Sequence, residues 1–185
     1  MTPVETAPKK GAPEEIIPEE INSEEINSEK IDLRSAAAKN RARLIELTPD
    51  AAGIIAGFAD DLIARCGAGI YAGYLPIKTE LSPLPLIETL AQRGMVRAMP
   101  ITPAPENPLS FHQWAPGMPL EDGPYKTKQP PADSELVYPD VVLAPMLAFD
   151  RACWRLGYGG GFYDRSIAAL RDAGRNVVII GVAYS

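Results

Sequence analysis

V-V-I-I-G-V, residues 177–182, is the stretch that decides the fold of this chain, because it is apolar on both faces of the strand it predicts. Such a strand is typical of the middle of a parallel sheet that helices cover on both sides. The pattern before it predicts a buried strand from Val141, a helix over residues 162–173 and Gly174 as the helix stop. The order strand, helix, strand therefore predicts an α/β fold with three layers, in which helices cover both faces of a mostly parallel central sheet.

The chain before Val141 continues the same alternation of helices and strands. Its patterns predict helices over residues 30–47, 50–65 and 84–93, and strands over residues 70–75 and 96–99. Residues 100–145 contain 11 of the 19 prolines, which predicts irregular structure with a short strand over 109–114 and a loop over 116–139. A long ordered loop often carries part of a functional site.

Residues 1–29 differ in composition from the rest of the chain. They contain eight Glu and two Lys, a net charge of −6, and they repeat the motif E-E-I-N-S, whose period of five fits neither a helix nor a strand. Three prolines by position 13 and the lack of aromatic residues also predict a disordered acidic tail, followed by one domain over residues 30–185. That domain has 16 acidic and 16 basic side chains, and its neutral charge argues against a nucleic-acid partner.

The sequence has neither a membrane span nor a signal peptide in its pattern, and it has few cysteines. It has no run of about 18 apolar residues, which predicts that no helix spans a membrane. The N-terminal region lacks the basic and apolar parts of a signal peptide, and only two cysteines, Cys66 and Cys153, are present, which indicates a reduced cytoplasmic protein. Cys153 has no accompanying histidine motif, and His112 is the single histidine. We therefore predict no catalytic role for Cys153 or His112.

R-L-G-Y-G-G-G-F-Y-D-R, residues 155–165, is the motif with the clearest chemistry. Its four glycines remove side chains that would keep the backbone away from an anion, and a helix from Phe162 would direct its free N–H groups at that anion. A mobile turn is the alternative for any glycine cluster, but such a turn requires neither flanking arginines nor Asp164, whose carboxylate suits Mg²⁺ beside a phosphate. Phe162 also breaks the dinucleotide fingerprint, which argues against NAD.

The segment P-M-L-A-F-D-R-A-C-W-R-L-G-Y-G-G-G-F-Y-D-R, residues 145–165, resembles the C-terminal signature of the 5-formyltetrahydrofolate cyclo-ligase family, also called 5,10-methenyltetrahydrofolate synthetases. Earlier segments agree with this family in their order. These are K-x-x-x-R at Lys30 and Arg34, G-Y-L-P-I-K-T-E over residues 73–80, and F-H-Q-W-A-P-G-M-P-L over residues 111–120. The resemblance covers residues 30–185 and implies a Rossmann-like topology of the sugar-phosphate isomerase and CoA-transferase type.

The resemblance also implies an activity. The expected enzyme binds ATP and Mg²⁺ and converts 5-formyltetrahydrofolate, in its mono- or polyglutamylated form, to 5,10-methenyltetrahydrofolate with release of ADP and phosphate. The formyl oxygen is phosphorylated before N10 closes the ring, so the site must neutralise a transferring phosphoryl group and align it with that oxygen. The enzyme is expected to be a cytoplasmic monomer that contacts neither nucleic acid nor membrane.

The resemblance assigns roles to residues one by one. Arg155 matches the catalytic arginine that contacts the transferred phosphate, Glu80 matches the glutamate that recognises the folate, and Asp164 matches a metal ligand. The implied ATP-binding residues are Lys30, Arg34, Arg155, Leu156, Gly157, Tyr158, Gly159, Gly160, Gly161, Phe162 and Tyr163, and the implied folate contacts are Leu75, Glu80, Tyr158 and Phe162.

Several of these residues also have plainer interpretations. Lys30 and Arg34 are four positions apart and share a helix face, but an isolated basic pair of this kind is usually solvated. The aromatic side chains of Tyr158, Phe162 and Tyr163 pack against the pterin or the adenine, or else they belong to the core. The sequence leaves both interpretations open.

Two rival classes of protein also remain open. Family members continue past a segment like I-G-V-A-Y-S with a second metal-site aspartate and a final strand, so the chain is expected to lack the family's C-terminal end, either because the protein ends there or because the sequence is a fragment. If the protein ends there, the missing segment favours a non-catalytic folate- or nucleotide-binding paralogue. The ligase is favoured by the retained residues Lys30, Arg34, Glu80, Arg155 and Asp164. The second rival is an enzyme of the wider sugar-phosphate isomerase and CoA-transferase type, in which a glycine loop acts without ATP.

Overall fold

The computed structural model describes residues 23–184, and its elements follow one another in the predicted order. The helices are α1 (Ser23–Leu47), α2 (Ala51–Ala56), α3 (Ala59–Cys66), α4 (Leu84–Gln92) and α5 (Phe162–Asp172), with a 3₁₀ turn at Pro124–Lys126. The strands are β1 (Ile70–Ala72), β2 (Val96–Ile101), β3 (Ser110–Gln113), β4 (Glu121–Asp122), β5 (Lys128–Gln129), β6 (Leu136–Val137), β7 (Val141–Pro145), β8 (Ala148–Phe149), β9 (Arg155–Leu156) and β10 (Val178–Val182). Within these residues, no helix combines the length and the apolar character that a membrane span requires.

Six strands of the described chain form one mixed sheet in the order β10-β7-β1-β2-β3-β6. The neighbours β10, β7, β1 and β2 pair in parallel, whereas β3 and β6 extend the β2 side in antiparallel orientation. The strand β1 lies between β7 and β2, with Ala72 aligned to Val142 on one side and to Ala98 on the other. The predicted α/β class with a mostly parallel sheet is thereby confirmed.

Helices cover both faces of the sheet and create two apolar clusters. On one face, α2, α3 and α4 pack against alternate strand residues such as Tyr71, Val141 and Leu143. On the other face, α5 packs against the residues between them, among which are Ala72 and Val142. Because successive side chains of a strand point to opposite faces, each central strand contributes to both clusters, and three layers result.

The strand β10 corrects one sequence prediction. The segment predicted for the middle of the sheet lies at the edge of the sheet formed by residues 23–184, where β10 pairs with β7 alone. Val178 is 38% exposed there, whereas Val142 and Leu143 of β7 are buried. Within residues 23–184 the predicted central position is not found, because two apolar faces show only that a strand is covered above and below. They carry no information about its hydrogen-bonded neighbours.

Three further boundaries differ from those predicted. The helix α1 begins at Ser23 rather than at Lys30, so it includes part of the predicted tail, and residues 1–22 lie outside the described residues. The second predicted helix is interrupted at Gly57, which separates α2 from α3. The long proline-rich loop contains the hairpin β4–β5 and the short strand β6, which pairs with β3.

Candidate active site

The loops after β1 and β7 meet at one end of the sheet, because these strands are parallel neighbours whose carboxyl ends lie side by side. The loop after β1 carries Glu80, and the chain after β7 forms the hairpin β8–β9 and then the glycine loop, residues 157–161. The helix α1 contacts both loops through Arg34 and Arg41. Three distant parts of the sequence therefore converge on one site.

The glycine loop bends through left-handed backbone at Gly159 (φ 97°) and at Gly161 (φ 65°). Glycine adopts these angles without the steric cost that other residues meet. Gly160 has an ordinary φ, and it is restricted by space instead, because a Cβ there would lie 3.0 Å from the Phe162 ring. Gly161 is also the N-cap of α5, and no side chain caps this helix start. The first N–H groups of α5 are therefore available to an anion.

Arg34 lies against the glycine loop, whereas Lys30 does not reach it. The Nε of Arg34 donates a hydrogen bond to the carbonyl oxygen of Gly157 at 3.0 Å. The guanidinium also covers Gly159, where a Cβ would lie 3.2 Å from Cζ of Arg34. Lys30, one turn earlier on α1, is exposed and forms no hydrogen bond or salt bridge with any other described residue. The structure thus brings one member of the predicted basic pair to the loop.

Arg155 in β9 and Asp164 in the first turn of α5 form a salt bridge. The Arg155 side chain is 23% exposed and that of Asp164 is 75% exposed, so the carboxylate remains open to solvent. Across residues 23–184, no three potential metal-ligating side chains cluster together. A single exposed carboxylate fits Mg²⁺ only as one ligand among phosphate oxygens and waters.

Arg165 holds the glycine loop from the side of α5. Its Nη2 donates to the carbonyl oxygen of Gly160 at 2.6 Å, and its guanidinium lies 5.2 Å from the centre of the Phe162 ring. Its Nη1 lies 3.6 Å from a carboxylate oxygen of Glu106. A Cβ at Gly161 would lie 2.6 Å from the same nitrogen, which is a second reason for glycine at that position. Arg165 therefore stabilises the shape of the loop.

Glu80 is a buried carboxylate at the other end of the site. It is 7% exposed, it forms no salt bridge with any described residue, and its Oε2 accepts a hydrogen bond from the Ile77 N–H at 2.8 Å. Burial raises the pKa of Glu80 above its ordinary value. Hydrogen bonds from Ile77 and Tyr158, together with the charge of Arg41, act in the opposite direction on this pKa. The carboxylate keeps acceptor capacity that suits the N–H groups of a pterin.

Arg41 is a buried arginine that the sequence analysis does not identify. It is 3% exposed, and its nitrogens donate to Thr79 Oγ1 at 3.0 Å, to the Met146 carbonyl oxygen at 3.4 Å and to the Tyr158 hydroxyl at 2.5 Å. These bonds join α1 to both loops of the site. One sequence signal was available, since Arg41 follows Arg34 by seven positions, or two turns along the same helix face.

The three aromatic side chains of the loop divide between core and site. Phe162 and Tyr163 pack against the apolar cluster beneath α5, as the plainer interpretation expects. Burial also raises the pKa of Tyr163, which keeps its hydroxyl protonated. Tyr158 is 41% exposed and its hydroxyl accepts a hydrogen bond from Arg41. Of the two implied leucines, Leu75 is half-buried after β1 and Leu156 is half-buried in β9. Roles of these residues in ligand binding stay predictions.

The histidine and the cysteines have structural surroundings. His112 is buried in β3, with Nδ1 at 2.8 Å from the Ser134 carbonyl oxygen and Nε2 at 3.1 Å from Ser110 Oγ. Cys66 and Cys153 are free thiols. Cys153 is exposed in the turn between β8 and β9 and has a left-handed φ of 64°. These surroundings suit the absence of a catalytic role, which stays a prediction.

A three-layer α/β fold with a glycine loop and a helix start at the carboxyl ends of its parallel strands is an arrangement typical of α/β proteins that bind phosphate groups. The model of the 5-formyltetrahydrofolate cyclo-ligase family matches residues 57–185, and the chain belongs to this family. The resemblance recognised in residues 145–165 is thereby confirmed.

Individual relatives agree with this assignment. The chain is 28% identical over 158 residues to a 5-formyltetrahydrofolate cyclo-ligase of Haemophilus influenzae, covering 82% of this chain and 83% of that one. It is 37% identical over 101 residues to the enzyme of that name in Escherichia coli K12, covering 52% and 56%. A solved 5,10-methenyltetrahydrofolate synthetase of Aquifex aeolicus is similar with a TM-score of 0.67 and 26% identity, covering 84% and 78%. The synthetase of Mycoplasma pneumoniae shares the fold with a TM-score of 0.59 and 20% identity, covering 83% and 84%.

Proposed function

We propose that this protein is an ATP-dependent 5-formyltetrahydrofolate cyclo-ligase. Family membership and the relatives in Haemophilus influenzae and Escherichia coli support the catalytic function over a paralogue that only binds folate or nucleotide. One observation carries the proposal for the site. Arg41 donates hydrogen bonds to Thr79, which precedes Glu80 in the loop after β1, and to Tyr158 of the glycine loop, so the phosphate end and the folate end form one continuous site.

The glycine loop supplies the ATP end of the proposed site. The N–H groups at the start of α5 and the guanidinium of Arg34 present positive charge to a polyphosphate. Residues 155–163 provide the remaining contacts as one continuous stretch of strand, loop and helix start. Lys30 is proposed to reach the phosphates from solvent, since it lies one turn from Arg34 on the same face of α1.

Glu80 supplies the folate end of the proposed site. Its buried carboxylate accepts hydrogen bonds from the N–H groups of the pterin, where few water molecules compete. Leu75, Tyr158 and Phe162 are the proposed apolar contacts. Tyr158 is the most exposed of the three, so it offers its ring to the ligand most directly.

The proposed chemistry needs no protein nucleophile. The formyl oxygen attacks the γ-phosphorus, the bond from this phosphorus to the β–γ bridging oxygen breaks, and ADP leaves. N10 then attacks the formyl carbon and loses its proton to water, and the carbon–oxygen bond breaks to release phosphate and form the methenyl bridge. Arg155 stabilises the negative charge of the transferring phosphoryl group, because a guanidinium has N–H donors beyond the one that Asp164 engages.

Mg²⁺ is the proposed metal cofactor, and it would enter with ATP. Asp164 would hold it beside the phosphates, since this carboxylate is exposed in the first turn of α5. Bound Mg²⁺ would neutralise part of the phosphate charge. If this role is correct, Asp164→Asn raises the Mg²⁺ concentration needed for half-maximal activity while thermal stability stays near that of the wild type.

The test is an absorbance assay for 5,10-methenyltetrahydrofolate. Purified protein, 5-formyltetrahydrofolate and Mg²⁺ are mixed with ATP or with an analogue whose β–γ bridge does not cleave. Product is expected with ATP only, and calorimetry measures the binding of folate and nucleotide in parallel. Binding without turnover would support the paralogue instead. A protein that neither binds nor turns over these ligands would support the isomerase or CoA-transferase type and overturn the proposal.

We extend the proposal to a monomer in the cytoplasm. The two free thiols suit a reducing compartment. Light scattering of the purified protein measures its mass in solution, and a mass twice that of the chain would contradict the monomer. The KM values for mono- and polyglutamylated 5-formyltetrahydrofolate, measured side by side, establish which form the enzyme prefers.

A further inference from the structure

Arg41 carries a buried positive charge that its own hydrogen bonds do not neutralise. The side chain is 3% exposed, and all its hydrogen bonds to described residues go to neutral oxygens, namely those of Thr79, Met146 and Tyr158. A buried charge is costly unless an opposite charge lies nearby. The surroundings of Arg41 are therefore expected to contain a carboxylate at somewhat longer range.

Glu80 is that carboxylate, and it is itself buried without a salt bridge to any described residue. The other titratable or charged groups that face it come from its own loop, from the end of β1, from the glycine loop and from α5; they are Lys78, Tyr74, Tyr158 and Tyr163. Lys78 is exposed, and burial raises the pKa of each of the three tyrosines, which keeps them neutral. Arg41 is the buried cation of this group.

The Tyr158 hydroxyl is bonded to Arg41 and also acts on the pKa of Glu80. Arg41 Nη2 donates to its oxygen at 2.5 Å, so the hydroxyl proton is directed at another acceptor. The hydrogen bond from Tyr158 lowers the pKa of Glu80, against the larger rise that burial causes. The guanidinium thus donates to Tyr158 and to Thr79, the residue before Glu80, and these two bonds place its charge near the carboxylate.

We propose that Arg41 is a positioning residue that fixes Thr79 and the Tyr158 hydroxyl around Glu80 and keeps the Glu80 carboxylate charged for the folate. The inference rests on the proposed role of Glu80 in folate recognition. It gives α1 a second function, because Arg34 on this helix serves the phosphate end while Arg41 serves the folate end. Without the charge of Arg41, less would oppose the rise that burial causes in the pKa of Glu80, and the carboxyl group would keep its proton to higher pH.

The first experiment measures kcat/KM for 5-formyltetrahydrofolate against pH in the wild type and in Arg41→Gln. The acid limb of the profile is the part in which kcat/KM falls as the pH decreases. The variant is expected to move this limb to higher pH by about one unit, which corresponds to an approximately tenfold lower kcat/KM at a given pH on that limb. The change is expected in the folate KM more than in kcat. Ionisation of the substrate is common to all variants, so a difference between profiles reports the enzyme.

Two matched variants accompany this measurement. Arg43→Gln removes an exposed charge two positions further along α1, where Asn40 is the only described residue to which Arg43 bonds, and it is expected to leave the acid limb in place. Arg41→Lys keeps the charge and is expected to recover part of the shift. A folded Arg41→Gln variant with an unshifted acid limb overturns the proposal. A shift of equal size in Arg43→Gln also overturns it, because general loss of charge would then be the cause.

A merely structural role for Arg41 makes different predictions. It would lower the melting temperature and reduce kcat/KM by the same factor at every pH. In a Glu80→Gln background, Arg41→Gln is expected to leave the acid limb unchanged, since no carboxyl group remains there to titrate. A shift that persists in this background assigns the titration to another group and overturns the proposal.

Tyr158→Phe keeps the test decisive if Arg41→Gln does not fold. The substitution removes the hydroxyl and keeps the ring at a position that is 41% exposed, and it is expected to move the acid limb in the same direction as Arg41→Gln. No shift in Tyr158→Phe overturns the proposal. The wild-type assay separates the two failures, because an inactive wild type removes the proposed function, whereas an active wild type with unshifted variants removes only the role of Arg41. If the wild type binds without turnover, the folate Kd against pH replaces kcat/KM.

Discussion

The two ends of the site differ in what they present to a ligand. The phosphate end consists of backbone N–H groups at the start of α5 and of solvent-facing side chains such as Asp164, which is 75% exposed. The folate end consists of buried ionisable side chains, with Glu80 at 7% and Arg41 at 3% exposure. Charge at the phosphate end is therefore screened by water and salt, whereas charge at the folate end acts through a less polar interior.

This difference indicates what each end needs in order to bind its part of the ligand. Backbone dipoles at a helix start attract an anion without burying any charge, so the phosphate end requires only the right backbone shape. A buried carboxylate acts only while neighbours keep it ionised, so the folate end depends on three separate segments of the chain. We expect the phosphate end to respond mainly to salt and to loop shape, and the folate end mainly to pH.

Arg155→Ala is expected to have the largest effect. Loss of a charge that acts on the transferring phosphoryl group should reduce kcat by about 10² to 10³, with the folate KM changed much less. Steady-state kinetics measure both parameters. Arg171→Ala, which removes an exposed arginine from the last turn of α5, is the control and should be near wild type. A near-normal kcat in Arg155→Ala would remove this residue from the mechanism.

Glu80→Gln is expected to come next, with a rise of about 30-fold in the folate KM, because a charge-assisted hydrogen bond is lost. Although this substitution weakens folate binding, it should not destabilise the folded protein. Burial raises the pKa of Glu80, so the folded protein binds this proton more tightly than the unfolded chain, and ionisation of Glu80 costs stability as the pH rises through the folded pKa.

The melting temperature of Glu80→Gln should therefore equal or exceed that of the wild type at neutral pH. The difference should shrink as the pH falls and disappear below the ordinary glutamate pKa of about 4.3, where both states of the wild type are protonated. Glu46→Gln at the exposed end of α1 is the control and should show neither effect. A lower melting temperature for Glu80→Gln at neutral pH would contradict the account of the folate end.

Gly159→Ala is expected to raise the Kd for ATP about tenfold, since a left-handed residue other than glycine costs about 1–2 kcal/mol and the loop would relax away from its anion-binding shape. Gly160→Ala is the matched control within the loop. Its φ is ordinary and only the Phe162 ring must move, so a smaller rise is expected. Nucleotide titration of both folded variants checks the order. Equal effects would show that backbone conformation is not what the phosphate end requires.

Lys30→Ala is expected to have the smallest effect, a rise of about threefold in the KM for ATP that fades as salt is added, because the exposed side chain is well screened. Arg34→Ala removes a guanidinium that touches the loop and should have a larger, less salt-sensitive effect. If Lys30→Ala is the more damaging of the two, the exposed position of Lys30 does not represent the enzyme with ATP bound.

The elements of the fold were predictable where the pattern is local. The helix α5 begins at Phe162, as its glycine N-cap and the following apolar spacing indicate, and α4 and β2 begin at Leu84 and Val96 as predicted. The position of β10 was not predictable in the same way. Residues 177–182 show burial above and below the strand, whereas the neighbours of a strand depend on hydrogen bonds to segments far away in sequence.

The candidate site likewise has one part that is local in sequence and another that depends on contacts between distant segments. The glycine loop is one continuous segment, and its composition alone indicates an anion site. The sequence analysis did not identify Arg41 because a basic residue on a helix is usually solvated. Only the fold places its Nη2 2.5 Å from the Tyr158 hydroxyl oxygen and brings its charge close enough to lower the pKa of Glu80. Gly159 and Gly161 have the left-handed backbone, whereas Gly160 between them has an ordinary φ. Glycine content shows that a loop can bend, and its tertiary contacts decide where.

The sequence by itself determined the fold class and the family, because these depend on periodicity and on residues that are neighbours along the chain. The tertiary structure alone decided that β10 lies at the edge of the described sheet, that Arg34 contacts the loop while Lys30 stays exposed, and that Arg41 and Glu80 are buried near each other. The physical reason is that burial and charge pairing are properties of the space between segments. Their energies appear only when distant parts of the chain exclude water from the same place.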